Sequence, residues 1–216
     1  HISSGDHLYF RGGTYNETLA WDSQMAALSG TSWSNATILE AYPGETVYFN
    51  DIGGCGLSNI TTSYIIFKGT NLNFHIGGLG FTPCGNTLAS ADHIRFDGLY
   101  IDQNHSHSES CVYLGDNDYG AYSEILNSYI TRCGNFINDG QGHAGAHYHG
   151  VYVSTHNVLI ADTEMYDVTG ACIHNYSGNP SNNVYERLKL HQCGTAIFQM
   201  STSAVILNTG TNNVLR

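Results

Sequence analysis

Five segments of this chain share one pattern: a short apolar strand, a polar or glycine corner, and a second apolar position. These segments are residues 64–72, 93–101, 123–130, 157–165 and 183–190. Self-similarity at a period of roughly 20 to 35 residues is the sequence signature of a solenoid, in which each coil packs on its neighbours. The repeat therefore constrains the fold more than any other feature of the sequence.

A second family of short strands follows the first, after a turn, at residues 111–114, 150–153, 172–175 and 196–199. No segment long enough for a stable helix places apolar residues at helical spacing. Parallel strands need long crossovers, and a solenoid supplies one with every coil. The sequence thus predicts an all-β chain, a single right-handed parallel β-helix domain over residues 1–216 with about seven to eight coils.

The cysteines give an independent test of this register. Cys111 and Cys172 each stand one residue before an inward apolar residue, whereas Cys133 and Cys193 each stand four residues before one. These equivalent positions predict coil-to-coil disulfides Cys111–Cys133 and Cys172–Cys193, which leaves Cys55 with Cys84. Spacing does not by itself determine connectivity, and six buried free thiols are the alternative.

Several segments resemble the secreted right-handed β-helix repeat proteins of the pectate-lyase-like superfamily. The resemblance rests on residues 4–15, 29–31, 38–47, 149–153 and 157–160. Among these, His149-Gly150-Val151-Tyr152 is similar to a recurring coil motif of that group. The superfamily includes lyases, hydrolases, epimerases and adhesins, so the resemblance implies a fold and no single reaction. Compared with that group, the chain is expected to lack one or both end caps, either as a piece of a longer protein or because coils stack end to end.

Strand alternation predicts a row of outward side chains on the second strand family. If Val112, Val151, Ile173 and Ile197 point inward, the alternating residues point outward at about 4.8 Å per coil. The outward residues are Tyr113, Tyr152, His174 and Phe198. Aromatic rings pack on sugar rings, so these four are the candidate substrate-binding residues. The alternative is ordinary aromatic packing that covers one face of the helix.

A glycine-rich insertion between coils carries the candidate catalytic residues. Asp139, His147 and His149 lie in this insertion, with His143 between them. Histidine and aspartate exchange protons near neutral pH, and insertions on rigid scaffolds often hold sites. No rigid element fixes these residues, so we expect no metal site here; a polar loop with hydrogen-bonded histidines is the alternative. Asp116, Asp118 and Asp139 are the carboxylates nearest the row, and their spacing singles out no pair for hydrolysis.

The net charge of the chain limits the classes of partner that it can bind. The chain has a formal net charge of −11 and seven unclustered basic residues, so it has no feature for binding nucleic acid. No apolar run is long enough to span a membrane. An uncharged extracellular polysaccharide is the expected partner, and no cofactor is expected, although an acidic substrate would need calcium to bridge it.

An even cysteine count is typical of a secreted protein. Asn-x-Ser/Thr sequons predict N-linked glycans at Asn16, Asn35, Asn59, Asn104 and Asn175. Asn175 also falls on an inward strand position, and an inward side chain would carry no glycan. The two interpretations of this residue compete.

These observations favour a secreted glycoprotein that binds or processes extracellular polysaccharide on one outer face. If it is an enzyme, the resemblance implies a polysaccharide lyase or a glycoside hydrolase. The alternative is a non-catalytic structural or adhesive subunit that stacks end to end into filaments.

Overall fold

The computed structural model describes residues 3–16, 28–50, 61–77, 79–80, 90–106, 110–117, 120–136, 148–176, 178, 180–194, 204–207 and 210–216. The strands in chain order are β1 (His7–Phe10), β2 (Gly13–Tyr15), β3 (Thr37–Ala41), β4 (Val47–Phe49), β5 (Thr61–Lys68), β6 (Phe74–Ile76), β7 (Leu79–Gly80), β8 (Ser90–Asp97), β9 (Leu99–Asp102), β10 (Val112–Asn117), β11 (Glu124–Leu126), β12 (Tyr129–Cys133), β13 (Val151–Thr155), β14 (Leu159–Ala161), β15 (Glu164–Val168), β16 (Ile173–Asn175), β17 (Val184–Glu186), β18 (Lys189–Cys193), β19 (Val205–Leu207) and β20 (Val214–Leu215). One 3-10 turn covers Trp33–Asn35.

The strands form three parallel sheets. Sheet A has the order β1-β3-β5-β8-β11-β14-β17-β20, sheet B has β18-β15-β12-β9-β6-β4-β2, and sheet C has β19-β16-β13-β10-β7. Consecutive coils therefore stack strand on strand, which confirms the predicted parallel solenoid. Within the described residues, five consecutive coils from β5 to β19 contribute a strand to every sheet, fewer than the seven to eight coils predicted. The two coils before them have strands in sheets A and B, and β20 begins another.

The three sheets correct the two strand families expected from the sequence. The apolar position after each corner belongs to a strand of its own, such as β9, rather than to the end of the preceding strand. Burial alternates along β9 with a period of two residues, since Leu99 and Ile101 are buried and Tyr100 is not. This alternation indicates the extra strand.

The interior is a continuous stack of apolar side chains from all three sheets. In sheet A, Leu39 pairs in register with Phe67, and Phe67 pairs with Phe96. The rings of Phe67 and Phe96 are stacked with centroids 5.4 Å apart, and both are fully buried. Burying one such side chain contributes roughly 1.5 to 3 kcal/mol, so these columns are the main source of stability.

Side-chain oxygens satisfy backbone donors at the corner that precedes sheet A. The residue that opens each corner has a left-handed backbone with φ between 51° and 58°: Tyr64, His93, Tyr122, Asn157, Asn182 and Asn212. In the long strands β5 and β8 this residue, Tyr64 or His93, lies within the strand range. Ser123 Oγ accepts a hydrogen bond from the Ile94 N–H (3.2 Å), and Asn183 Oδ1 accepts one from the Val158 N–H (2.8 Å). Asn213 Oδ1 accepts one from the Asn183 N–H in the same way (3.0 Å).

The corner between sheets A and B uses the same arrangement with hydroxyl groups. Ser128 Oγ accepts from the Leu99 N–H at 3.2 Å, and Thr163 Oγ1 accepts from the Ser128 N–H at 3.4 Å. Because buried backbone donors without partners are costly, each corner side chain stabilises the coil next to it.

Among the described residues, two disulfides join neighbouring coils. The structure contains Cys111–Cys133 and Cys172–Cys193, with sequence separations of 22 and 21 residues. Each one links the residue before a sheet C strand to the end of the sheet B strand one coil further on. The predicted partners Cys55 and Cys84 lie outside the described residues.

Replacing Cys172 and Cys193 together with alanine is expected to lower the free energy of unfolding by about 3 kcal/mol. The bond closes a loop of 21 residues and so restricts the unfolded chain. Guanidinium unfolding followed by circular dichroism measures this loss. Because the second loop has nearly the same length, the double alanine variant of Cys111 and Cys133 should lose a similar amount; unchanged midpoints in both variants would contradict the prediction.

In the part of the chain that the structure describes, no helical segment has the length or the apolar character needed to cross a membrane.

Candidate functional site

Sheet C carries a row of rings on its outer face. Tyr113 pairs in register with Tyr152, and Tyr152 pairs with His174. The Tyr113 and Tyr152 rings are stacked with centroids 5.2 Å apart and planes 3° apart. His174 meets Tyr152 edge on, at 5.3 Å and 83°. The three side chains are half-buried, since the alternating residues of the same strands fill the core.

Ile206 holds the next register position of this row, where the sequence predicted Phe198. The strand that pairs with β16 is β19, and Ile206 occupies the register position beside His174. The sequence pattern placed the strand at residues 196–199, whereas the apolar run Val205–Leu207 forms it in the structure. Both segments offer an apolar pair at strand spacing, so the pattern could not distinguish them. Phe198 itself lies outside the described residues.

Tyr176 lies beside the row, in the same coil as His174. Its ring stacks on His174 with centroids 5.3 Å apart and planes 17° apart, and it is 46% exposed. Sequence reasoning missed this residue. The signal was available, because residues two apart on a strand face the same side and Tyr176 follows His174 by two.

His149 is buried, which changes the role predicted for it. Its side chain is 4% exposed, so it does not present a surface to a large substrate. Its Nδ1 accepts a hydrogen bond from the Ala171 N–H at 3.0 Å, and its Nε2 lies 2.8 Å from Nδ1 of His174. Because a backbone N–H can only donate, Nδ1 of His149 carries no proton, and Nε2 donates to His174.

The two histidines therefore form an ordered pair. With its Nδ1 accepting from His149, neutral His174 carries its proton on Nε2. Adding a proton to either ring would remove an acceptor that a hydrogen bond now uses. His149 is thus a positioning residue for His174, and His174 is the member of the pair that is partly open to the outside.

Gly150 explains why His149 can sit so close to the next coil. A Cβ atom at Gly150 would lie 2.6 Å from the carbonyl oxygen of Cys172, too near for any side chain. The backbone of β13 therefore approaches the disulfide-linked coil closely, and this brings Ala171 within reach of His149.

The other predicted catalytic residues, Asp139 and His147, lie outside the described residues, as does His143. Among the residues that are described, no group of three histidine, cysteine, aspartate or glutamate side chains could hold a metal ion. Asp116 belongs to β10.

Two further rows of rings were not anticipated. On the outer face of sheet B, Tyr48, His75, Tyr100 and Tyr129 follow one another in register. At the corner before sheet A, a second row contains the left-handed residues Tyr64, His93 and Tyr122 with Trp33 at one end and His156 at the other, and neighbouring ring centroids are 4.5 to 5.6 Å apart. A ring between two apolar residues, as in Val47-Tyr48-Phe49, was the missed signal for the sheet B row.

The sequons differ in accessibility. Asn16, Asn35 and Asn104 are exposed, and Asn59 lies outside the described residues. Asn175 is fully buried, and its side chain donates to the Pro180 carbonyl and accepts from Tyr185 Oη. The prediction of a glycan at Asn175 is therefore wrong for the folded chain, because the inward strand position takes precedence over the sequon.

Neither a protein-family model nor a curated protein matches this chain. Its structure is similar to that of the pectate lyase Pel9A, with a TM-score of 0.53 and 14% identity over 99% of this chain and 54% of that one. Geobacillus virus E2 ORF18 gives a TM-score of 0.45 at 12% identity, over 99% of this chain and 55% of that one. The PL6 family alginate lyase AlyGC gives 0.31 at 12% identity, over 100% of this chain and 35% of that one.

The likeness to Pel9A shows that the chain has a pectate-lyase-like parallel β-helix fold. This confirms the fold that the sequence motifs implied. At 14% identity the likeness extends to the fold alone, and this chain spans about half the length of the lyase.

Proposed function

We propose that this chain binds an extracellular polysaccharide along the outer face of sheet C. The observation that carries the proposal is the row Tyr113, Tyr152 and His174, which runs along the solenoid with neighbouring ring centroids 5.2 to 5.3 Å apart. Tyr176 stacks on His174 within the same coil and widens the aromatic surface at that end. A row parallel to the axis matches an extended polymer better than a compact ligand. Structural similarity to a pectate lyase supports a polysaccharide as the ligand class.

The mode of contact follows from the ring geometry. Tyr113 and Tyr152 cover each other's faces, so their edges and hydroxyl groups meet the ligand. His174 contributes a half-buried imidazole ring, held in place by its bond to His149. Tyr176, the most exposed of these four rings, supplies a face for a sugar ring. Hydroxyl-rich sugars suit this mixture of polar tips and apolar ring surfaces.

An uncharged glycan fits the chain better than an acidic one. With a formal net charge of −11, the protein repels polyanions unless a cation bridges them. EDTA should therefore leave binding unchanged. Binding that is lost with EDTA and restored by calcium would assign this face to an acidic glycan instead.

Turnover is a second proposal for the same face, and the ordered histidine pair favours it. His174 would act by donating a hydrogen bond from Nε2 to a glycan oxygen that gains negative charge, because the tautomer that His149 fixes leaves no ring nitrogen of His174 able to take up a proton. Under this proposal, His174→Ala abolishes release of sugar fragments while glycan binding persists. If wild-type protein releases no fragments from any polysaccharide tested, the role is binding alone.

Tyr152→Ala is expected to weaken polysaccharide binding about tenfold or more, because it removes the central ring of the row. Affinity electrophoresis in gels that contain glucomannan, xyloglucan or mixed-linkage glucan measures this loss. Tyr166→Ala is the matched control, since Tyr166 lies on sheet B and packs on His191. Equal retention of both variants, or no retention of the wild type on any gel, would contradict the assignment.

Secretion and N-glycosylation belong to the same proposal, and the two disulfides are compatible with an oxidising compartment. End-to-end assembly stays a prediction from the sequence.

A further inference from the structure

A groove of about 580 Å³ lies on the outer face of sheet B, on a different side of the solenoid from the sheet C row. Its floor is formed by Tyr48, His75 and Tyr100, and its rim includes Thr14, Asn50 and Asn104. We call this the sheet B groove. Its volume falls within the range of roughly 300 to 1,000 Å³ that is typical of small-molecule sites.

The rings of the floor are not uniformly stacked. Tyr100 and Tyr129 are 17° from parallel, and His75 and Tyr100 are 27° from parallel, so these rings largely cover one another. Tyr48 is tilted by 56° from His75 and is 45% exposed. Simple stacking that protects the sheet would not need this tilt. Tyr48 therefore presents ring surface to the groove.

The neighbour of Tyr48 in the preceding coil leaves room beside that ring. Thr14 pairs in register with Tyr48, and it is a small, exposed residue. The row of rings thus ends at Tyr48, where a threonine replaces the next aromatic side chain. A flat apolar ring face beside a hydroxyl group is the combination that a sugar ring contacts.

The groove carries almost no net charge. Asp102 is the carboxylate among its lining residues, and it is paired with Arg132, whose Nε donates to Oδ1 at 2.9 Å. The Asn104 N–H also donates to Asp102 Oδ1, at 2.8 Å. Burial lowers the pKa of His75, which keeps the imidazole neutral at pH 7. An anionic ligand would find no unpaired cation among these residues.

The rim offers hydrogen-bonding groups without charge. Thr14, Asn50, Asn104 and Ser106 supply hydroxyl and amide groups around the aromatic floor. Amides and hydroxyls both donate and accept, as sugar hydroxyls require. From the tilted Tyr48, the neutral lining and this rim, we propose that the sheet B groove is a second glycan-binding site, which takes an uncharged oligosaccharide segment of a free chain.

The test measures the groove separately from the sheet C face. Isothermal titration calorimetry is done on a Tyr152→Ala background, which weakens the binding proposed for sheet C about tenfold or more. The ligands are hexasaccharides of β-1,4-linked glucose, xylose and mannose, with hexagalacturonate as the anionic comparison. We expect at least one neutral hexasaccharide to bind one site per chain, and Tyr48→Ala to weaken it about tenfold.

Tyr9→Ala is the matched control, because Tyr9 is a 43% exposed tyrosine on sheet A. It should leave the affinity unchanged. The proposal is overturned if no neutral hexasaccharide binds on the Tyr152→Ala background, if Tyr9→Ala and Tyr48→Ala lose the same affinity, or if hexagalacturonate binds more tightly.

Asn104 lines the groove and is also a sequon, so a glycan on the protein itself is the rival occupant. Titration before and after enzymatic removal of N-glycans distinguishes the two. Equal affinity in both samples supports binding of a free chain. Affinity that appears only after removal would assign the groove to the Asn104 glycan and overturn the proposal.

Discussion

Asn183→Ala is expected to lower the free energy of unfolding by about 4 kcal/mol. Asn183 is fully buried, and its Oδ1 accepts from the Val158 N–H, while its Nδ2 donates to the Thr155 carbonyl and to Asn175 Oδ1. Removing the amide takes a partner from one buried donor and from two acceptors, of which Asn175 Oδ1 keeps its bond from Tyr185 Oη. A lost partner costs roughly 1 to 3 kcal/mol, and the substitution also leaves a small cavity. Guanidinium unfolding monitored by circular dichroism measures the loss.

The buried network around Asn183 strengthens this expectation. Tyr185 Oη donates to Asn175 Oδ1 at 2.9 Å, and burial raises the pKa of Tyr185, so this hydroxyl stays protonated. Asn182→Ala is the control: Asn182 is exposed and left-handed, and alanine there should cost about 1 kcal/mol. Similar losses at positions 182 and 183 would mean that the corner hydrogen bonds contribute little.

Gly98→Ala should destabilise the chain by about 4 kcal/mol or prevent folding. Gly98 has a φ of +71°, and a Cβ there would overlap the carbonyl oxygen of Gly69 in the preceding coil. A left-handed alanine costs roughly 1 to 2 kcal/mol, and crowding in a packed interior adds typically 1 to 3 kcal/mol. Since the obstacle is backbone, no side-chain movement can relieve it.

Gly44→Ala isolates the contribution of this overlap. Gly44 has a φ of +79°, and nothing lies within 4 Å of a Cβ added to it. It should therefore lose only the backbone term, about 1 to 2 kcal/mol. Thermal unfolding of both variants gives the comparison. If Gly44→Ala is as damaging as Gly98→Ala, close coil contact is not the reason for glycine at position 98.

Much of the site followed from strand alternation, and the rest depended on which segments form strands. The outward positions of Tyr113, Tyr152 and His174 follow from the inward positions of Val112, Val151 and Ile173, because side chains alternate along a strand. The sequence did not predict the fourth position of the row correctly, because two nearby apolar segments could each have formed the next strand. Periodicity does not choose between such segments, and packing in the fold does.

The roles of individual histidines and asparagines could not be obtained from sequence. His149 looked like a catalytic residue in an exposed insertion, yet Ala171 of the next coil holds its Nδ1 inside. Likewise Asn175 matched a sequon but lies in the core. In both cases a residue from another coil determines the environment of the side chain, and the local sequence does not identify that residue.

By itself, the sequence determined the all-β class, the parallel coiling and the equivalent coil positions of Cys111 with Cys133 and Cys172 with Cys193, because these depend on a repeated local pattern. The tertiary structure alone decided that the coil has three sheets, that His174 rather than His149 is partly open to the outside, and that Tyr48 tilts out over a groove. These features arise where separate coils meet, and contacts between coils depend on distances that no local pattern specifies.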